Sequence, residues 1–252
     1  MSKQYDAIGS RYAAFHELPL GQIQHPSTER VIGDVKGLKC LDLACGLGLW
    51  SQYLVSQGAS HVVGVDISHG MIEGAKKSAV ELPKEQSSRL TYLVADCSKP
   101  DLKVSEGPFD LVLGSWFLNY AQSYSDLVNM FRAISNNLKP GGRFVGVTTN
   151  AHCPMFRILD LRQYGFQVES LGTTEDGWKC KLTAFLEPEP FSFEYHHMLH
   201  DKYEDAAREA EMGEIRWHGY VLPQDERLEQ GFWDKYQLRG HFNILSCCKP
   251  PE

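Results

Sequence analysis

The chain has no apolar run long enough to span a membrane and no apolar h-region in residues 1–11. Neither a membrane anchor nor a secretory leader is therefore expected. It also lacks a basic cluster interleaved with aromatics. Its 25 Lys and Arg are outnumbered by 32 Asp and Glu, a formal net charge of −7 that disfavours sequence-independent nucleic-acid binding. No Cys-x-x-Cys pair occurs among the seven cysteines (Cys40, Cys45, Cys97, Cys153, Cys180, Cys247 and Cys248). The odd count reads as reduced, buried thiols in a cytoplasmic protein, not as a disulfide framework. Repeats and low-complexity tracts are missing too. What is present suffices for a packed core: 42% apolar residues, with 12 Phe, 11 Tyr and 5 Trp in 252 residues, the length of one large α/β domain.

The run Leu41-Asp42-Leu43-Ala44-Cys45-Gly46-Leu47-Gly48 is the most informative stretch. A strand over 40–43 leads into a glycine-bearing turn and then a helix over 49–57, ended by Gly58. That order puts permissive backbone at the carboxyl end of a strand, where open α/β sheets bind nucleotide-like ligands. A Cβ at Gly46 or Gly48 is expected to keep the turn from closing on such a ligand. Before the turn, the pattern gives a helix over 4–15, a Pro/Gly-punctuated stretch over 19–26 and a second helix over 27–34.

After it, strands and helices alternate. Strands are expected over 61–65, 90–94, 109–113 and 143–148. Ser68 caps a helix carrying Met71, Ile72 and Ala75. The clearest helix runs over 126–138, capped by Ser125 or Asp126. Leu127, Met130, Phe131, Ile134 and Leu138 share one face, and Pro140-Gly141-Gly142 stops it. Such units imply a mostly parallel sheet with right-handed crossovers. Beyond Asn150 the rhythm changes. Strands over 166–171, 178–186 and 191–195 follow one another without helices, like an inserted antiparallel flap. A helix over 202–210 and strands over 215–221 and 241–248 close the chain, the last two separated by a stretch holding Phe232, Trp233 and Tyr236.

Acidic residues stand at three strand ends: Asp42, Asp66 and Asp96. Asp66 lies 20 residues beyond Gly46, a spacing that suits a carboxylate accepting two ribose hydroxyls. An NAD site has the same spacing. A dinucleotide fingerprint, however, wants a third glycine at 51, where this chain has Ser51, and Asp96-Cys97-Ser98 offers a polar anchor for an adenine.

On these residues the chain resembles the class I S-adenosylmethionine-dependent methyltransferases. The matching segments are 41–48, 63–68 with Met71, 94–98, 109–120 and 138–145, which together cover about 5–149. Ala44 stands where many members carry glycine. Within that family the texture is similar to small-molecule enzymes such as toxoflavin N-methyltransferase and quinone-pathway methyltransferases. It is carried by Tyr5-Asp6-x-Ile8-Gly9, Asn119-Tyr120-Ala121 and Asn137-Leu138-Lys139-Pro140-Gly141-Gly142. The resemblance implies a Rossmann-like, seven-stranded, mostly parallel sheet with helices on both faces. It divides the chain into a helical lid (1–34), a cofactor core (35–150), a substrate flap (151–195) and closing elements (196–252).

The resemblance also implies the site. Asp42, Ala44, Cys45, Gly46 and Gly48 lie along the methionine part of the cofactor. Asp66 and Ile67 meet the ribose, Met71 packs on adenine, and Asp96 with Cys97 takes the adenine amino group. The Ser115 backbone holds the methionine amino group, Trp116 is a cofactor contact that flanks the reacting methyl, and Tyr5 and Tyr12 belong to the lid. Trp116, Phe117 and Tyr120 form an aromatic wall apt for a sulfonium, a desolvated cation.

Tyr120, His152 and His197 are the candidates for contact with the acceptor, and Tyr195, Trp217 and His218 are further pocket-wall candidates. His196 and His200, at i and i+4, suggest a shared helical face, but no acidic or cysteine partner has ligand spacing and no metal is expected. The expected reaction is methyl transfer from S-adenosylmethionine, leaving S-adenosylhomocysteine, to a nitrogen or oxygen of a small metabolite, by a monomer or homodimer without nucleic-acid or membrane partners. A non-catalytic cofactor-binding sensor and an NAD-dependent dehydrogenase are the competing readings. An Asn-Pro-Pro-Tyr-type base-methylation motif is missing.

Overall fold

The computed structural model describes residues 17–153 and 160–251. The expected helix over 4–15, with Tyr5 and Tyr12, lies outside them. In chain order the elements are α1 (Pro19–Ile32), β1 (Lys39–Leu43), α2 (Leu49–Ser56), β2 (His61–Asp66), α3 (His69–Val80), α4 (Lys84–Ser87), β3 (Leu90–Val94) and β4 (Phe109–Ser115). A 3₁₀ turn (Leu118–Tyr120), α5 (Tyr124–Asn137) and β5 (Leu138–Thr149) follow. Then come β6 (Phe166–Thr174), β7 (Gly177–Ala184), β8 (Phe191–Met198), α6 (His200–Glu209), β9 (Arg216–His218), α7 (Glu226–Glu229), α8 (Asp234–Leu238) and β10 (Phe242–Cys248).

Seven strands make one sheet in the order β3-β2-β1-β4-β5-β10-β9. β1 to β5 are parallel, and β10 runs antiparallel to both β5 and β9. The order reverses between β1 and β4, the switch point where open α/β sheets leave a crevice. β6, β7 and β8 form a separate antiparallel sheet, as expected for the flap.

Two apolar cores sandwich the main sheet. One joins α1, α2, the flap and the buried rings of Trp233 and Tyr236. The other joins α5 and α6 through Leu127, Met130, Phe131, Ile134, Tyr203 and Ala206. The period-3.6 stripe on α5 is therefore the stripe that is buried.

Three local expectations change. α1 starts at Pro19 and runs through Pro26, where a break and a new helix at 27 were expected. Pro19 sits at the helix start, where its missing N–H costs nothing. Pro26 and Gln22 are both exposed, so the carbonyl that Pro26 fails to bond faces water. The cap of α5 is Ser123, whose Oγ accepts from the Asp126 N–H at 3.2 Å, while Asp126 Oδ2 accepts from the Gln122 N–H at 3.1 Å. α5 ends at Asn137, before Pro140-Gly141-Gly142, which was expected to stop it but lies inside β5, which starts at Leu138; the β4 pairing shifts register there between Phe109 and Leu111.

Gly64 on β2 sets how closely α2 approaches the sheet. A Cβ there would lie 2.7 Å from the Tyr92 ring and 2.9 Å from Ser51 Oγ. The third glycine that Ser51 replaces on the helix is thus supplied by the strand facing it. Gly64→Ala is expected to cost about 1–3 kcal/mol by overpacking, which lowers the melting temperature by about 2–4 °C per kcal/mol in a chain of this size. An unchanged thermal midpoint would show that the gap is not tight.

Candidate functional site

At the end of β1 the backbone turns through left-handed φ at Ala44 (55°), Gly46 (54°) and Gly48 (82°). Ala44 holds this geometry despite its Cβ, a strain that persists only where neighbours enforce it. The Cys45 N–H donates to Val65 O at 3.0 Å and the Gly48 N–H to Cys45 O at 2.9 Å. The two glycines serve different ends. A Cβ on Gly46 would meet nothing within 4 Å, whereas one on Gly48 would run into the Tyr92 hydroxyl and lie 3.1 Å from Ala75 Cβ. Gly48 makes room for Tyr92, not for a ligand.

Asp66, at the end of β2, ties the loop down. Its Oδ2 accepts from the Gly46 N–H and its Oδ1 from the Ser68 N–H, both at 2.9 Å. Ser68 Oγ in turn accepts from the Met71 N–H at 3.2 Å, capping α3. Asp42, 1% exposed at the end of β1, accepts from Ser51 Oγ at 2.6 Å. Burial pushes its carboxyl up to about 7, against the opposing pull of the Ser51 hydrogen bond.

A cleft opens over these strand ends in two lobes that share Ala44. The larger, about 250 Å³, is lined by Asp42, Cys45, Gly46, Trp50, Ser115 and Trp116, together with Leu47, Leu49 and Gln52. The smaller, about 70 Å³, is lined by Asp66, Ile67, Asp96, Cys97, Ser98, Phe117, Tyr120 and Met130. Asp96 Oδ1 accepts from the Ser98 N–H at 3.0 Å and from Ser98 Oγ at 2.6 Å, while Oδ2 stands 3.7 Å from Lys99 Nζ. Burial pushes the Cys97 thiol up to about 12 and the Cys45 thiol well above its usual value, so both stay protonated.

Trp116 closes the larger lobe with φ at 57°. Its backbone N–H donates to Val147 O at 2.8 Å and its indole Nε1–H to Gln24 Oε1 at 3.0 Å. The ring stacks on His241 at 5.7 Å. Gln24, on α1, escaped the sequence reading because a turn was expected there. Trp50 also escaped it, although it stands two residues past Gly48. Its indole nitrogen is buried with no hydrogen-bond partner among the described residues.

Of the residues singled out from the sequence, Asp42, Ala44, Cys45, Gly46, Asp66, Ile67, Asp96, Cys97, Ser115, Trp116 and Tyr120 all line one or both lobes. Gly48 and Met71 line neither: Gly48 backs onto Tyr92, and Met71 is buried in the first turn of α3. Tyr5 and Tyr12 lie outside the described residues. His152 is exposed and packs on His200 (4.9 Å) and Trp217 (5.3 Å), away from the lobe linings. His197 lies on β8, buried, with its ring 5.9 Å from that of Trp178. His196 and His200 do not share a helical face, since His196 is on β8 and His200 opens α6. Among the described residues, no group of three or more His, Cys, Asp or Glu side chains is arranged to hold a metal ion.

The molecule's likeness to known proteins falls on this same region. Residues 40–142 match the profile of a family described as "Methyltransferase domain". A demethylmenaquinone methyltransferase of Lactococcus lactis is 34% identical over 125 residues, 49% of this chain and 46% of that protein. One from Clavibacter sepedonicus is 34% identical over 150 residues, 58% of this chain and 56% of its own length. The match thus spans about half the length of these relatives. Among solved structures, an S-adenosylmethionine-dependent methyltransferase from Mesorhizobium loti superposes with a TM-score of 0.62 at 21% identity, covering 88% of this chain and 96% of its own.

Two buried histidines give the protein a defined acid sensitivity. Burial lowers His197 to about 4 and His241 to about 3, from an unfolded value of 6.5. The unfolded chain therefore binds more protons below pH 6.5. Stability present above that pH is lost on acidification towards the folded values, at about 1.4 kcal/mol per pH unit for each histidine. Denaturant melts at pH 7 and pH 5 are expected to show this loss, and His241→Gln to reduce its slope. Equal slopes in the two proteins would contradict the assignment.

Proposed function

We infer that this chain, whose residues 40–142 match the profile of a methyltransferase domain and whose fold is that of an S-adenosylmethionine-dependent methyltransferase, moves a methyl group from S-adenosylmethionine to a nitrogen or oxygen of a small molecule. The observation that carries this reading is the two-lobed cleft at the sheet's switch point, with Asp66 and Asp96 in one lobe and the Ala44–Gly46 backbone between the two. The residues present fit such a ligand. The open side of Gly46 leaves a cradle for the methionine part. Asp66, whose oxygens accept the Gly46 and Ser68 N–H groups, lines the smaller lobe where the ribose hydroxyls would lie. Asp96 Oδ2, beyond the Ser98 contacts, suits the adenine amino group.

When bound, the cofactor supplies a methyl group on a cationic sulfur. The chain's own work is mostly positional. Trp116 lines one lobe and Tyr120 the other, and aromatic rings so placed suit a desolvated cation. Burial raises the Tyr120 phenol, so it stays protonated and donates or accepts a hydrogen bond without ionising. His197, lowered to about 4 by burial, is neutral at pH 7 and orients an acceptor better than it deprotonates one. A nucleophilic nitrogen needs no stronger base. In this reading residues 1–34 serve as lid, 35–150 as cofactor core, 151–195 as substrate flap and 196–252 as closing elements. Tyr5 and Tyr12 belong to the lid in this reading.

The two relatives above are named for demethylmenaquinone methylation, which supports a small aromatic acceptor. No helix among the described residues is long and apolar enough to cross a membrane. A cytoplasmic monomer or homodimer without nucleic-acid partners completes the reading.

The test pairs binding with transfer. Methyl-labelled S-adenosylmethionine and pools of small phenols, quinols and amines are expected to give a product one methyl heavier. Asp66→Ala is expected to lower S-adenosylhomocysteine affinity at least about ten-fold, since hydrogen bonds to a charged group contribute about 1.5–3 kcal/mol each. Calorimetry showing unchanged affinity in that variant would sink the ribose assignment, and tight cofactor binding without transfer to any pool would favour a sensor.

A further inference from the structure

Asp42 is a buried carboxylate with no cation beside it among the described residues. It accepts from Ser51 Oγ at 2.6 Å and also from the Ser51 backbone, and its side chain lines the larger lobe. The titratable groups facing it are Asp66 on β2, Tyr92 on β3, Cys45 in the loop, Cys97 beyond β3 and Cys40 on β1. None of them is a cation when charged, and no Lys, Arg or His among the described residues lines either lobe. A buried carboxylate so placed has two stable conditions. It holds a proton, or it faces a positive charge brought by a ligand.

We propose that Asp42 lets this cleft tell the cationic sulfonium donor from its neutral thioether product, being ionised while the donor is bound and protonated once the product replaces it. The proposal rests on the methyl-transfer reading above. In that reaction the sulfur–methyl bond breaks with its electron pair left on sulfur. The acceptor's lone pair forms the new bond, and the acceptor's displaced proton leaves to solvent. The ligand's sulfur has then lost its positive charge while its α-ammonium is unchanged, and Asp42 takes a proton from solvent in compensation. The result is a bias towards donor over product that strengthens as pH rises. The Ser51 hydrogen bond favours the ionised form and sets where the bias appears, near the value of about 7 given by burial.

The experiment is calorimetric titration of the full chain with S-adenosylmethionine and with S-adenosylhomocysteine from pH 6 to pH 8, each in two buffers of different ionisation enthalpy. If the donor lowers the Asp42 pKa by one unit and the product leaves it in place, the affinity ratio of donor to product rises about five-fold over that range. The donor also releases protons that the product does not. The ligands' own amines titrate too, but equally with Asp42→Asn, so the difference between the two proteins isolates Asp42. That difference is expected to equal the five-fold rise. Ser51→Ala, which removes the hydrogen bond that lowers Asp42, is expected to move the transition to higher pH and keeps the test alive should Asp42→Asn fail to fold. Identical pH profiles in wild type and Asp42→Asn, or an unmoved transition in Ser51→Ala, overturn the proposal. If the wild-type chain binds neither ligand, it is the methyl-transfer reading that fails.

Discussion

The arrangement turns on one carboxylate. Asp66 accepts backbone N–H groups from two directions, Gly46 before it in the chain and Ser68 after it. Through these contacts the end of β2 is locked to the loop after β1 and to the start of α3. The loop's left-handed residues keep a fixed path, and both lobes of the cleft inherit their shape from it. A neutral side chain at 66 would make weaker bonds to the same donors. The charge matters to the scaffold before it matters to any ligand.

The far side of the cleft is held by different means. Trp116 is fixed by its own backbone, by Gln24 from α1 and by stacking on His241. His241 is in turn bonded through Nδ1 to the Tyr236 hydroxyl at 2.6 Å, inside a cluster that includes Phe166 and Phe242. Elements distant in sequence (α1, β6, α8 and β10) thus converge behind one ring. One side is held by local hydrogen bonding close to one loop. The other is held by long-range aromatic packing.

That difference explains what was legible in the amino-acid sequence. The parallel core could be read because each strand is a short apolar run ending in a marker such as Asp42, Asp66 or Asp96, and α5 because its apolar stripe keeps one period throughout. Most residues on the loop side of the cleft could be read because they lie close to those markers. Gln24 and His241 could not, since they lie 92 and 125 positions from Trp116, the ring that both contact, and no period in the sequence links them to it. Pro26 misled because its cost depends on which side of the helix faces water, which tertiary packing decides. His196 and His200 misled because a spacing of four means one face only if the segment is helical, and a strand end falls between them.

Gly64 bears on how such loops are recognised at all. The glycine needed for close approach of helix and strand is found here on the strand, opposite a serine on the helix, with the Tyr92 ring filling the remaining space. A fingerprint written along one segment records where a small residue happened to be placed. The physical requirement is a clearance between two surfaces, and either surface can recede to meet it. Sequence signatures for nucleotide-type sites would then be better expressed as paired positions whose combined bulk is limited, with a serine–glycine pair satisfying the same bound as its reverse.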